Sequence, residues 1–239
     1  MALSSNISGA SRSLRVLARL LSYPDAQLLA DLPDMREALQ SEGALSMPRL
    51  VELEQLMHTL ASRSTLDAEA HYVELFDRGH ATSLHLFEHV HGDSRDRGPA
   101  MIDLTKTYEA AGLFLAPGEL PDYLPVVLEF VSTQPLVEAR AFLSEMAHIF
   151  NAIFSALQSR ETAYVNVLSA LLELSGEKVQ PVKVVADEAL DTSWEEPEVF
   201  DGCSVKGQGK PDQAQPIHFV KNDAVKSRAG VAATAGVSP

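Results

Sequence analysis

From residue 11 to residue 175, apolar side chains recur at intervals of three and four residues, and no stretch alternates apolar with polar residues. Half-buried strands need that alternation, whereas amphipathic helices need the longer period. The pattern predicts an all-α fold. It is clearest in a first helix with Leu14, Leu17, Leu20 and Leu21, and in a broad apolar stripe formed by Phe142, Met146, Ile149, Phe150, Ile153 and Phe154.

Helix-breaking and helix-starting residues divide this range into segments. We expect a second helix over residues 26–39 with a candidate break at Pro33, and a third that starts at Met47 and Pro48. Further helices are predicted at residues 68–76 and 84–91, then from a cap at Asp93 or Ser94 to Gly112. A loop over residues 113–122 leads to a helix from Pro125, followed by a long helix over residues 136–157 and a last one capped by Ser159.

The character of the chain changes after Gly176. Residues 177–201 form an acidic strap, in which Trp194 and Phe200 are the only aromatic residues. Residues 202–239 are rich in Gly, Pro, Ala, Lys and Gln and carry too little apolar surface to offset ordering entropy, so we predict a disordered tail. Residues 1–176 are then the single helical-bundle domain.

Charge and hydropathy exclude several classes of partner. The net charge is -14 and the sequence pI is about 4.9, which disfavours nucleic acid and anionic lipid and favours a basic partner. No apolar run approaches the roughly 18 to 20 residues that a membrane-spanning helix needs. We therefore expect no nucleic acid binding and no direct membrane insertion.

One short motif suggests a metal site. His85, Glu88 and His89 have the H-x-x-E-H spacing of an inverted zinc-protease motif, and on a helix the two histidines would share a face. A third ligand and the strands of the protease scaffold are both missing from the sequence, and the bare pattern has a high false-positive risk. A metal-dependent hydrolase remains the alternative function. Cys203, the single cysteine, lies in the predicted tail without a positioned partner, so we predict no catalytic residues and no metal.

Residues 85–97 also have two non-metal interpretations, which the sequence leaves open. In the first, they form a polar helix junction where Asp93 caps a helix and Arg95 and Arg97 pair with Asp96, Glu88 or Asp103. In the second, the same polar residues form a binding surface. Satisfied polar networks serve both purposes.

Longer runs carry a specific resemblance. Residues 72–112, YVELFDRGHATSLHLFEHVHGDSRDRGPAMIDLTKTYEAAG, and residues 119–132, ELPDYLPVVLEFVS, resemble the delta-subunit type of respiratory nitrate reductase assembly chaperone. This family belongs to the redox enzyme maturation proteins. LRVLARLLSYPD at residues 14–25 is similar to the first helix of the family, and DTSWEEPEVF at residues 191–200 to its acidic C-terminal segment.

The resemblance implies a helical cytoplasmic chaperone with no catalytic activity and no cofactor. Such a chaperone binds the N-terminal segment of the apo catalytic subunit of nitrate reductase. It holds that subunit until the molybdenum cofactor and an iron–sulfur cluster are inserted, before membrane docking. Molybdenum cofactor biosynthesis proteins are further candidate partners. The residues that match the family motifs, and are therefore candidates for partner binding, are His85, Glu88, His89, Asp93, Arg95, Asp96, Arg97, Pro121, Asp122, Tyr123 and Pro125.

In physical terms, an amphipathic peptide would lay its apolar face in a groove rimmed by carboxylates. Candidate lining residues, each of which also suits the core, are Leu86, Phe87, Val90, Leu120, Tyr123 and Leu124. Candidate rim acids are Glu88, Asp93, Asp96, Glu119 and Asp122. Pro121 and Pro125 predict a stiff loop that presents Asp122 and Tyr123 to the partner.

Overall fold

The structure is a computed structural model that describes residues 9–92 and 94–182. Every described residue belongs to one compact unit. Predictions for Asp93, for the strap from residue 183 onward and for the tail at residues 202–239 lie outside the described residues.

The described residues form ten α-helices and one 3-10 turn, His80–Thr82, and contain no β-strand. The all-α prediction is therefore confirmed for this part of the chain. The helices are α1 Ser11–Leu20, α2 Ala26–Glu42, α3 Met47–Ala61, α4 Thr65–Phe76, α5 Leu86–His91, α6 Arg97–Ala110, α7 Leu124–Ser132, α8 Leu136–Glu145, α9 Ala147–Ser159 and α10 Val165–Ser175. None of them is long and apolar enough to cross a membrane.

The core lies where α1 packs on α7 and α2, and where α10 packs on α9, α8 and α3. Leu14, Leu17 and Leu20 of α1 are buried, which confirms the first helix as a core element. Most residues of α9 and α10 are buried, and the buried residues lie on every side of each helix, as expected of central helices. These helices form the fixed scaffold on which the remaining helices are arranged.

Three predictions for the scaffold helices were wrong. Pro33 does not break α2, because buried apolar side chains on either side of it, Leu32 before and Met35 after, hold the helix against the core, and their burial offsets the cost of an internal proline. The predicted helix over residues 136–157 is divided at Met146 into α8 and α9, with neither Gly nor Pro to mark the bend. The last helix begins at Val165, so Ser159 ends α9 and does not cap α10.

Helix α6 differs from all of these. Only Tyr108 among its 14 residues is buried. The helix is attached near its first residue and in its last turn, with the half-buried Leu104 packed against the core between them. The attachments at the two ends define the site described next.

Candidate partner-binding site

A short backbone bridge fixes the start of α5. His85 pairs with Tyr123 in an isolated antiparallel β-bridge, in which Leu124 N donates to Leu84 O (2.8 Å) and Leu86 N donates to Asp122 O (3.0 Å). His85 is consequently extended and α5 begins one residue later, at Leu86. The predicted helix over residues 84–91 was wrong at its start, because this bridge takes its first two residues.

The bridge also removes the geometry of the zinc motif. His85 stands outside the helix, so it does not share a helical face with His89. His89 Nε2 lies 2.8 Å from Ser83 O, and because a carbonyl oxygen only accepts, this nitrogen is the donor and is occupied. Across residues 9–92 and 94–182, no three metal-ligating side chains come together. The hydrolase alternative has no support in this arrangement.

The carboxylate of Asp122 is buried and caps α5 from outside the helix. Its Oδ2 accepts from Phe87 N (3.2 Å), and its Oδ1 lies 3.4 Å from His85 Nδ1. Arg97 Nη2 is 3.8 Å from Oδ2. We call Asp122, His85, Arg97 and Glu88 the Asp122 latch. The prediction that a stiff loop presents Asp122 on the rim of a groove was wrong, because the side chain is 0% exposed and occupied by these partners.

The latch connects α5 to the first residue of α6. Arg97 Nη2 donates to Glu88 Oε1 (3.3 Å), and His80 Nδ1 lies 3.9 Å from Glu88 Oε2. The hydrogen bond that His85 Nδ1 donates to Asp122 raises the pKa of His85, and burial opposes that effect. The nearby charges of Asp122 and Glu88 raise the pKa further, while that of Arg97 lowers it. The polar-junction interpretation is confirmed for the Arg97 and Glu88 pair.

The turn before α6, residues 94–96, is exposed. Arg95 and Asp96 both face solvent, and Ser94 Oγ is within 3.2 Å of both the Asp96 carboxylate and the Asp96 backbone N. Helix α6 begins only at Arg97, and Asp96 makes no side-chain cap bond to it. The predicted cap at Ser94 was wrong, because Ser94 closes the preceding turn and not the helix.

The remaining predicted residues lie in the loop before α7. Pro121 and Pro125 are buried. Tyr123 is half-buried, with its hydroxyl 2.9 Å from that of Tyr72 and its ring 5.4 Å from the His85 ring. The two buried prolines flank this loop, consistent with the predicted stiff connection. Tyr123, however, contacts Tyr72 and His85 of the same chain.

A cavity of about 400 Å³ opens between α1, α7 and the loop that follows α6. We call it the α6–α7 groove. Its lining residues are Arg15, Tyr108, Leu113, Phe114, Leu115, Glu119, Val126, Glu129, Phe130 and Thr133. Tyr108 and Phe130 are in ring contact (4.8 Å) at its base, and the Tyr108 hydroxyl donates to Pro121 O (2.8 Å). Phe114 is 79% exposed, so a large aromatic ring stands in the opening.

The groove carries charges at its edges. Arg15 Nε donates to Ser132 Oγ (3.1 Å), and Glu119 Oε2 accepts from Ala116 N (2.9 Å). The Glu129 carboxylate has no hydrogen-bond or ion-pair partner within the described part of the chain. An apolar groove with an uncompensated carboxylate suits a ligand that has both an apolar face and a positive charge.

Sequence reasoning found only Glu119 of this groove. Leu86 and Leu124, two of the predicted lining residues, are buried in the core, whereas Val90 and Leu120 are exposed. The signal that marks the groove is the apolar triplet Leu113, Phe114 and Leu115 (LFL), which stands in a loop with Pro117 and Gly118, where apolar residues are otherwise unexpected.

A second groove of about 840 Å³ lies between α2 and α3. Met47 and Val51 stand exposed along it, but its one acid, Glu54, is paired with Arg36 (2.8 Å). The α6–α7 groove therefore offers the better match to a basic ligand, and the α2–α3 groove offers a matched control.

Comparison with known proteins agrees with the all-helical architecture. The family model for the nitrate reductase delta subunit matches residues 37–170. The nitrate reductase molybdenum cofactor assembly chaperone NarJ of Escherichia coli strain K12 is 43% identical over 196 residues, which cover 78% of this chain and 83% of that protein. A probable chaperone of the same name from Bacillus subtilis strain 168 is 33% identical over 159 residues, covering 65% of this chain and 84% of that protein.

A solved structure described as a redox enzyme maturation protein from Archaeoglobus fulgidus matches with a TM-score of 0.52 at 19% identity. The match covers 70% of this chain and 94% of that one. At that identity, the likeness bears on the fold alone.

Proposed function

The chain belongs to the nitrate reductase delta subunit family, and from that premise we propose that it is a molybdenum cofactor assembly chaperone that holds the apo catalytic subunit of nitrate reductase through its N-terminal segment. The relatives are named as assembly chaperones, so the chain is assigned as a chaperone and not as an enzyme. In the proposed cycle it acts in the cytoplasm, without a cofactor of its own. It releases its partner for membrane docking after insertion of the molybdenum cofactor and an iron–sulfur cluster.

One observation supports the α6–α7 groove as the peptide site: an apolar cavity that holds an exposed aromatic ring and a carboxylate without a partner. Exposed aromatic residues beside a concave apolar surface are typical binding anchors. An amphipathic helix in such a groove would bury its apolar face against Phe114 and place basic residues near Glu129. The net charge of -14 would speed its approach from solution.

In this proposal, most residues that match the family motifs act indirectly, by positioning the walls of the groove. The Asp122 latch fixes the start of α6, and Pro121 accepts the Tyr108 hydroxyl near the end of the same helix. Together they set where α6 and its following loop stand relative to α7. Arg95 and Asp96 are exposed beside the start of α6 and stay available for contact with the partner or with molybdenum cofactor biosynthesis proteins.

Titration calorimetry tests the proposal with a peptide of the first 15 or so residues of the cognate catalytic subunit, about four helical turns. We expect binding that weakens as salt rises from low to physiological concentration, because rim charges are screened. Phe114→Ala should weaken binding about tenfold or more, as loss of an aromatic anchor does.

The matched control is Met47→Ala, which removes an exposed side chain (70%) from the α2–α3 groove. We expect it to leave the affinity unchanged. If Met47→Ala weakens binding and Phe114→Ala does not, the site lies between α2 and α3. If no form of the chain binds the peptide, the N-terminal segment is not what this chaperone holds.

A further inference from the structure

Two polar side chains of α9 hold the backbone of the acidic strap near its start. Gln180 N donates to Asn151 Oδ1 (2.6 Å), and Val182 N donates to Ser155 Oγ (2.9 Å). Asn151 and Ser155 are both buried. The Ser155 hydroxyl also donates to Asn151 O (2.8 Å), so it donates within α9 and accepts from the strap at the same time. Helix α9 therefore offers acceptors to the main chain of the strap.

The spacing of these two contacts fits an extended chain that runs parallel to α9. Two residues of extended chain span about 6.6 Å, and four residues of helix span about 6 Å. Successive N–H groups of an extended chain point to opposite sides, so those of Gln180 and Val182 face α9 while that of residue 181 would face away. Residue 181 is Pro, which has no N–H and favours an extended conformation in the residue before it. The sequence of the strap thus matches the acceptors on the helix.

The same spacing continues to a third side chain of α9. Ser159 follows Ser155 by four residues, is exposed, and donates its hydroxyl hydrogen to Ala156 O (2.8 Å). A hydroxyl has one hydrogen and two lone pairs, and the Ser159 oxygen accepts no bond from any residue that the structure describes. The next N–H on the same side of the strap is that of Val184, which lies outside the described residues. Val184 and Val185 are β-branched, which favours continuation of the extended chain.

The C-terminal end of α9 lies beside two exposed basic residues. Arg160, which follows α9, donates to Thr82 Oγ1 (2.9 Å) and thereby places the 3-10 turn at this end of the helix. The His80 side chain in that turn is 91% exposed. Arg78, two residues earlier, is exposed and has no partner among the described residues. We call Arg78 and His80 the basic corner, and its charge suits an acidic segment.

We infer that the strap follows all three polar side chains of α9 and brings Asp187 and Glu188 to the basic corner. Val184 N donates to Ser159 Oγ as the third contact. Asp187 is three residues further on, about 10 Å along an extended chain. The occupant of the corner is the chain's own strap, residues 183–188, whose two carboxylates offset the charge of the two basic side chains.

The docked strap reaches the edge of the Asp122 latch. His80 Nδ1 lies 3.9 Å from Glu88 Oε2, so a strap carboxylate beside His80 competes with Glu88 for this histidine and leaves Glu88 to Arg97. In a chain with a net charge of -14, covering the basic corner also removes a local attraction for acidic partners and so favours basic ones. The inference concerns the strap and does not depend on the proposed peptide site.

Hydrogen exchange on the full chain tests the third contact. The Val184 amide should exchange more slowly than its intrinsic rate in the natural protein, and Ser159→Ala should speed that exchange about 2- to 10-fold, as loss of one neutral hydrogen bond does. The matched control is Ser41→Ala, because Ser41 is an exposed serine in the last turn of α2 whose hydroxyl also donates to a carbonyl three residues earlier, Ala38 O (3.1 Å). The control should leave the Val184 amide unchanged. Exchange at the intrinsic rate in the natural protein, or equal effects of the two substitutions, would overturn the inference.

The position of the acidic residues is tested by a photo-activated cross-linking residue in place of Ala186, which keeps both carboxylates. It should link to residues 77–82 of the same molecule. At low salt the yield should fall about twofold or more when Asp187→Asn and Glu188→Gln are combined, because exposed charges attract most strongly there. Links to the α2–α3 groove, links only to a second molecule, or a yield that does not depend on the two carboxylates would overturn the placement.

Discussion

Helices α10 and α6 show how differently two parts of one compact unit can be held. Seven of the 11 residues of α10 are buried, whereas α6 buries one residue of 14. Helix α10 is packed into the core along most of its length, whereas α6 is held by Arg97 at its start, by the buried Tyr108 in its last turn, and between them by the half-buried Leu104. Regions with few buried contacts open at lower free energy than the core. The contrast indicates that the scaffold supplies stability, while the wall of the groove is set by a few polar attachments.

The largest effect is expected when a core side chain is removed. Leu171→Ala in α10, where the leucine is fully buried, should lower the free energy of unfolding by about 2–5 kcal/mol through lost burial and a cavity. Ile102→Ala in α6, where the isoleucine is 57% exposed, should change it by no more than about 0.5 kcal/mol. Urea unfolding of both variants gives the comparison. Similar losses in the two would mean that α6 belongs to the scaffold.

Removing the latch carboxylate should come next in size. Asp122→Ala leaves Phe87 N without its acceptor and His85 without its nearest carboxylate, and it removes one of the two carboxylates beside Arg97, so we expect a loss of about 2–3 kcal/mol. The value stays below that of a fully buried pair because Arg97 and His85 keep partial contact with water.

Hydrogen exchange locates the damage of that variant. Amides of α5 and the start of α6 should exchange faster in Asp122→Ala, while those of α9 and α10 keep their relative protection. Asp122→Asn keeps an oxygen acceptor and loses the charge, so its exchange rates should lie between those of Asp122→Ala and those of the natural protein. Uniform loss of protection across all helices would show that the latch supports the whole fold.

The sequence predicts those features that depend on neighbouring residues, but not those that depend on residues far apart in the chain. Apolar periodicity is local, so α1 and the start of α7 near Pro125 were predicted nearly as they are. The position of Asp122 is not local, because its partners Phe87 and His85 lie 35 and 37 residues away. A Pro-Asp-Tyr sequence between helices is typical of an exposed turn, and only the tertiary cap on α5 explains why its carboxylate is buried. The site role of the predicted residues stays a prediction.

A third test compares an attachment of α6 with an exposed pair on the same helix. Arg97→Ala removes the contacts to Glu88 and Asp122 and should cost about 1–2 kcal/mol, since charged hydrogen bonds of half-buried groups are at stake. Lys106→Ala breaks an exposed pair with Asp103 and should cost under about 0.5 kcal/mol. Thermal unfolding distinguishes them, because about 1 kcal/mol shifts the midpoint by 2–4 °C in a protein of this size. Equal midpoints would contradict a point attachment at Arg97.

The smallest expected effect is a pH dependence of the latch. Because the pKa of His85 is raised in the folded chain above its ordinary 6.5, protonated His85 stabilises the latch fully below pH 6.5. That contribution is lost as the pH rises through the raised value. We expect less than about 1 kcal/mol, since His85 is partly exposed.

Exchange of the Phe87 amide at pH 6 and pH 8, corrected for the intrinsic rate, measures this loss. His85→Gln should remove the excess opening at pH 8. His58→Gln, on an exposed position of α3, is the matched control and should leave it in place. Identical opening at the two pH values in the natural protein would rule out a titrating latch.

The packing of α1 on α7 has a consequence for the synthesis of the chain. The hydrogen bond from Arg15 to Ser132 joins residues 117 positions apart. At translation rates of about 5–20 residues per second, α7 leaves the ribosome roughly 6 to 23 s after α1. Until then α2 is the first partner available to cover the leucines of α1. During those seconds the part of α1 that packs on α7 stays uncovered. The new chaperone therefore exposes a basic amphipathic helix, the same chemistry that is proposed for the segment that it holds.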